Sequence, residues 1–172
     1  GYQQTYSKAM VGRLPKLSRA IVDKTVAEME EGGYHFERRA TGSSSVYAMT
    51  LQNIADIYQY RKVPRYRDRY DHAFVVTAAN LKGGVSKTVC SVTLAHALRA
   101  HSSLLYEDFK ILVIDLDPQA SATMFFSHNH SVNSVDNTAA QAMLQDVTRE
   151  ELLDEFVINS GVPGVDLIPA SI

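Results

Sequence analysis

Two short stretches carry residues that could do chemistry. Residues 80–88 read NLKGGVSKT, and residues 115–123 read DLDPQASAT. In the first, Lys82, Gly83, Gly84, Val85, Ser86, Lys87, Thr88 and Val89 lie between an apolar, β-branched run, FVVTAAN (74–80), and a helical pattern over 87–101. A backbone curling between a strand and a helix points its N–H groups at an anion. Glycines without side chains let that anion approach closely. A lysine at the helix start would reach phosphate oxygens, and the Thr88 hydroxyl would bind Mg²⁺. In the second stretch, KILVI (110–114) reads as a buried strand. Asp115 and Asp117 follow at its C-terminal end, where open α/β sheets bind ligands. Alternation puts both carboxylates on one side. Two adjacent carboxylates make electrostatic sense beside a divalent cation. Asp117 also reads as the cap of the helix after Pro118.

The strict phosphate-loop pattern G-x-x-x-x-G-K-[ST] is not met. Leu81 stands at the first glycine position and Ser86 at the second. Ser86 is expected to take right-handed dihedrals, so that the loop stays intact. KGGVSKT resembles the deviant Walker A loop of the ParA/MinD ATPases, usually K-G-G-x-G-K-T, and DLDPQ is similar to that family's DxDPQ motif. The resemblance implies ATP or ADP with Mg²⁺ as cofactors. It implies that Lys87 serves its own subunit's nucleotide and that Lys82 reaches across a homodimer interface. It also implies that Asp117 orients the attacking water and that Asp115 supports the Mg²⁺ shell.

The elements before this loop have a different character. Residues 1–72 carry twelve basic against eight acidic residues, and residues 73–172 carry five against eleven, within a net charge of −2. Such asymmetry suggests different partners for the two halves. Residues 2–13 read as a short helix. Ser18 then caps RAIVDKTVAEMEE, with Val22, Val26 and Met29 on one face, and Gly32-Gly33 ends it. YHFERR and VYAMT read as two arms of a hairpin around ATGSSS. Thr50 caps LQNIADIYQYRK, whose Leu51, Ile54, Ile57 and Tyr58 face inward, and Pro64 limits it. Helix, turn, helix and hairpin are the plan of a winged helix-turn-helix. Its second helix would enter a major groove and its wing would touch phosphate. Arg19, Lys24, Arg38 and Arg39 are candidate DNA contacts. The run RKVPRYRDRY (61–70) adds five cations, with Arg65 and Arg67 as further candidates.

A winged helix-turn-helix ahead of such a loop is similar to the large type I subclass of plasmid partition ParA, in which the loop can read KGGVSKT. SRAIVDKTVAEMEE, YAMTLQNIADIY and VPRYRDRY resemble that subclass too. The implied fold is α/β: an N-terminal winged helix-turn-helix (1–72, with its basic linker), then a P-loop parallel-sheet ATPase domain (73–172). GVDLIPASI supplies its third strand, and the domain is expected to be truncated at its C-terminal side. The resemblance implies a cytoplasmic, nucleoid-associated partition ATPase. It would bind operator and non-specific DNA, answer to a ParB-type centromere-binding protein and repress its own operon. The alternative is a nucleotide-controlled repressor with incidental turnover. A MinD-like membrane cycler is disfavoured by the winged domain, and no apolar run is long enough to span a bilayer. A single cysteine, Cys90, excludes an internal disulfide and the cysteine ligands of a nitrogenase-type iron protein. Cys90 is expected to pack in the core.

Overall fold

The structure, a computed structural model, describes residues 4–80, 82, 86–126 and 137–170. The chain divides into two compact units. The first comprises residues 1–73 and 100–109, and the second residues 74–99 and 110–172.

In the first unit, local capping sets the helix starts. Ser7 is extended, and its hydroxyl accepts from the Met10 N–H, which opens α1 (Lys8–Val11). This helix is shorter than the 2–13 reading, because the capping serine lies inside that range. Ser18 caps α2 (Arg19–Glu31) in the same way, and the buried face is Val22, Thr25, Val26 and Met29. Gly33, at φ 88°, turns the chain out of the helix. The hairpin pairs β1 (Arg38–Thr41) with β2 (Ser44–Tyr47), antiparallel, from Arg38↔Tyr47 at the base to Thr41↔Ser44 at the tip. Both strands lie nearer the turn than the sequence indicated. Thr50 and Asn53 form a reciprocal capping box at α3 (Leu51–Tyr60), whose Ile54, Ile57 and Tyr58 are buried. A short α4 (Tyr66–Arg69) follows Pro64.

One core joins these elements: Tyr6, Val11, Val22, Val26, Met29, Phe36, Met49, Ile54, Ile57 and Tyr58, together with Leu105. The Tyr58 hydroxyl donates to the Pro15 carbonyl at 2.7 Å, fastening α3 to the turn between α1 and α2. Leu105 belongs to a 3₁₀ turn, Ser102–Glu107, far along the chain and beyond the basic segment. That turn folds with the winged unit.

The second unit is built on a mixed three-stranded sheet of order β3-β5-β4. β3 (Ile111–Ile114) pairs with β5 (Val165–Ile168) in parallel, and the two-residue β4 (Ile158–Asn159) pairs with β5 antiparallel. The third strand lies where GVDLIPASI puts it, and β4 is an addition too short to announce itself in sequence. α5 (Lys87–Ala100) and α6 (Ser121–Phe126) supply Val92, Ala95, Ala122 and Phe126 to a core shared with Val165 and Leu167. α7 (Ala139–Leu144) and α8 (Arg149–Glu151), which widens into a π turn over Leu152–Phe156, pack through Ala139, Phe156 and Ile168.

Several expectations are corrected here. FVVTAAN forms no strand, and Phe74, Val75 and Val76 are 79%, 80% and 57% exposed. A β-branched run needs a partner edge, and among the described residues β3 pairs only with β5. For the same reason β3 is half-buried: Leu112 and Ile114 face outward. On α5, Val89 and Leu94 are exposed, and only Val92, Ala95 and Arg99 are buried. Cys90 is exposed rather than packed.

Candidate functional site

The loop-to-helix junction begins with Asn80. Its side-chain oxygen accepts the Lys82 N–H at 2.9 Å, an Asx turn that sequence reasoning overlooked although asparagine before glycine-rich chain is its usual sign. Gly83, Gly84 and Val85 lie outside the described residues. Ser86 has φ 59°, in the left-handed region. This corrects the right-handed expectation and gives a physical reason for the glycine that the K-G-G-x-G-K-T pattern carries there: only glycine takes that dihedral without cost. The Ser86 carbonyl accepts the Cys90 N–H at 2.9 Å, so the helix starts immediately.

Lys87 stands at the first position of the 14-residue α5. Its Nζ turns back to the Lys82 carbonyl at 3.5 Å, so the structure brings the two lysine positions together. Lys82 is exposed, Lys87 and Thr88 are half-buried, and Val89 points outward. The first N–H groups of a helix lack intrahelical acceptors and carry its positive partial charge. Two lysines and a threonine hydroxyl around such an end fit a polyphosphate and its metal. Among the described residues, no three His, Cys, Asp or Glu side chains are grouped to hold an ion. A metal held largely by phosphate oxygens and one hydroxyl needs no such cage.

Asp115 and Asp117 follow β3 directly. Asp115 is buried, and its carboxylate accepts the Asp117 N–H at 3.1 Å and both the N–H and hydroxyl of Thr123 at 2.8 Å. The Thr123 oxygen in turn accepts the Ala170 N–H at 3.0 Å. Three donors leave a carboxylate room for about one more. Asp115 is thus an anchor joining β3, α6 and the exit of β5, and it holds the backbone of Asp117. Asp117 accepts the Gln119 N–H at 3.0 Å and its carbonyl the Ala120 N–H at 2.8 Å, so it opens a turn; this corrects the capping reading, because α6 starts only at Ser121, and Asp117 remains half-buried. Thr123 was missed in sequence because its role depends on a partner eight residues away.

The DNA candidates divide by what already holds them. Arg19 and Lys24 are 82% and 72% exposed in their side chains. Their pairs with Asp23 (3.9 Å) and Glu28 (3.8 Å) are long. Pairs of this kind contribute about 0.3–0.5 kcal/mol and yield easily to phosphate. Arg39 is exposed, with no ion pair among the described residues. Arg38 is engaged with Glu30 at 2.8 Å. Arg65 grips Asp68 through two nitrogens at 2.9 and 3.0 Å, holding the Asp68 carboxyl down at about 2. Arg67 pairs with Asp108, and Arg69 with Glu107 at 2.6 Å. Those acids are only 8% and 7% exposed in their side chains, whereas the arginines are 38% and 40% exposed. Withdrawing the arginines would take a directly paired cation from two nearly buried carboxylates. The basic run 61–70 is therefore partly neutralised from a segment about forty residues on.

A helix-turn-helix unit followed by a P-loop-type ATPase domain is the class this fold defines. A ParA helix turn helix domain model matches residues 1–70 and an AAA domain model matches residues 73–172; the chain belongs to the ParA family of partition proteins. It is 63% identical over 171 residues to plasmid partition protein A of Escherichia coli, covering 99% of this chain and 43% of that protein. The chromosome partitioning protein ParA of Caulobacter vibrioides (strain NA1000 / CB15N) is 31% identical over 97 residues, 56% of this chain and 32% of that protein. A solved structure described as a partition protein superposes with a TM-score of 0.86 at 50% identity, covering 99% of this chain and 46% of that one. The chain thus spans less than half the length of these relatives. Among the described residues, no helix is long and apolar enough to cross a membrane.

Proposed function

We propose that the protein acts as a DNA-binding plasmid partition ATPase. In this reading it binds ATP and Mg²⁺ at the start of α5, dimerises around nucleotide and hydrolyses it. A ParB-type partner stimulates turnover, and the winged unit represses the protein's own operon. The single observation that supports it best is the junction at Ser86–Lys87. A left-handed residue opens a long helix there, and the first helical lysine folds back over the Lys82 carbonyl.

The residues divide the work as follows. Lys87 and the free N–H groups of α5 neutralise the β- and γ-phosphates. The Thr88 hydroxyl would hold the metal. Bound Mg²⁺ supplies charge neutralisation across the phosphate oxygens. Asp117 orients water, and Asp115 fixes Asp117 through its backbone N–H. Lys82 serves the partner's nucleotide in trans. The relative from Escherichia coli, described as a plasmid partition protein, supports the cellular role. Arg19, Lys24 and Arg39 are the cations best placed for duplex phosphate, since each can engage it without stranding a buried acid. Arg38, Arg65 and Arg67 are already committed.

Lys87→Ala is expected to abolish nucleotide binding, measured with a fluorescent ATP analogue and with unlabelled ATP as competitor. Wild-type affinity in that variant would refute the assignment of the loop. Asp117→Ala separates the motor from the nucleotide-controlled repressor, because only the motor needs hydrolysis.

A further inference from the structure

The hairpin buries little. Every residue of β1 is exposed, and in β2 only Tyr47 is shielded. Apolar contact is confined to the base, where Tyr47 packs against the core with its ring 6.3 Å from that of Phe36, and a lone two-stranded hairpin is marginal in water. A polar cluster on the same tyrosine adds to this hold. Arg38 and Tyr47 are cross-strand partners at the first rung. One guanidinium nitrogen of Arg38 donates to Glu30 at 2.8 Å and to the Tyr47 hydroxyl at 2.7 Å, and its carbon lies 4.2 Å from the centre of the Tyr47 ring. The Tyr47 hydroxyl donates to Glu30 at 2.9 Å. Lys8 Nζ lies 4.8 Å from the same ring and 3.1 Å from Asp23. The cluster therefore touches α1, α2 and the hairpin at once.

Glu30 has a reason of its own to recruit a cation. The last turn of α2 holds Glu28, Glu30 and Glu31 with no basic residue, at the end where the helix already carries negative partial charge. Arg38 supplies the missing charge from the wing. Its hydrogen bond keeps the Glu30 carboxyl below the usual range against the opposing effect of burial.

We propose that Glu30, Arg38, Tyr47 and Lys8 form a seat that fixes the wing on α2, so that Arg39, the next residue and on the opposite face of the strand, is the arginine delivered to phosphate. The proposal rests on the DNA-binding reading above. It makes Arg38 a positioning residue and removes it from the list of phosphate ligands.

The test uses the 172-residue chain, Glu30→Gln, Tyr47→Phe and Arg39→Ala. Two readouts are taken: hydrogen exchange of the hairpin amides, and affinity for a fluorescein-labelled mixed-sequence duplex across a salt series. Glu30→Gln and Tyr47→Phe are expected to speed hairpin exchange by about tenfold and to weaken duplex binding several-fold, with the salt slope unchanged. Arg39→Ala is expected to lower that slope by about one. If Glu30→Gln instead binds more tightly with a steeper slope, Arg38 is a phosphate ligand held in check, and the seat is wrong. Unchanged hairpin exchange in both variants also overturns it. A wild-type chain that ignores duplex sinks the DNA-binding reading, and the exchange rates still decide the seat.

Discussion

Ser86 is strained where a glycine would not be. A non-glycine residue at φ 59° costs about 1–2 kcal/mol against glycine, partly offset by the greater freedom of glycine in the unfolded chain. Ser86→Gly should therefore raise stability by about 0.5–1 kcal/mol and keep nucleotide affinity, whereas Ser86→Ala should leave stability near wild type. Denaturant titration checks both, and a destabilised glycine variant would show that the serine side chain is needed. The candidates for chemistry here could be picked out by residue type: two lysines, a threonine and two aspartates at fixed spacing. The dihedral was not, because KGGVSKT does not state which residue turns left-handed. Nor was the commitment of Asp115 to Thr123, since a carboxylate aimed at a cation and one aimed at amides look alike in sequence.

Among the elements, what depends on neighbours three or four residues apart could be read directly. Ser18 and Thr50 cap the helices expected of them, and Gly33 ends α2. What depends on a distant edge could not. FVVTAAN has the composition of a strand and lies exposed, while Ile158–Asn159 pairs with β5 on two residues. One element-level contact yields a sharp expectation. Gly164, at φ 83°, abuts the side chain of Arg99, which is 1% exposed near the end of α5 and donates to the Pro163 carbonyl at 2.6 Å. A methyl group there meets the guanidinium, which has nowhere to swing. Gly164→Ala should destabilise the second unit by about 2–4 kcal/mol. The loss should appear as reduced amide protection along α5 and β5, and full protection would mean that the arginine repacks freely.

At the scale of the molecule, the two family matches cover residues 1–70 and 73–172. The structure adds that Ala100–Phe109 folds with the first unit. Leu105 is 2% exposed in that unit's core. Leu105→Ala should thus lower amide protection in α2 and α3 by about 2–4 kcal/mol, although both precede it by more than forty residues. If only the second unit loosened, the assignment of that segment would fail. The ion pairs of Arg67 and Arg69 with Asp108 and Glu107 could not be foreseen for the same reason: they join residues 41 and 38 positions apart.

This arrangement also bears on synthesis. Chains emerge from the ribosome N-terminus first and generally fold unit by unit. Here the N-terminal unit lacks Leu105, Glu107 and Asp108 until all of α5 has been translated. Arg67 and Arg69 therefore spend that interval without their buried counterions, and the winged unit completes its core only after the residues of α5 have been translated.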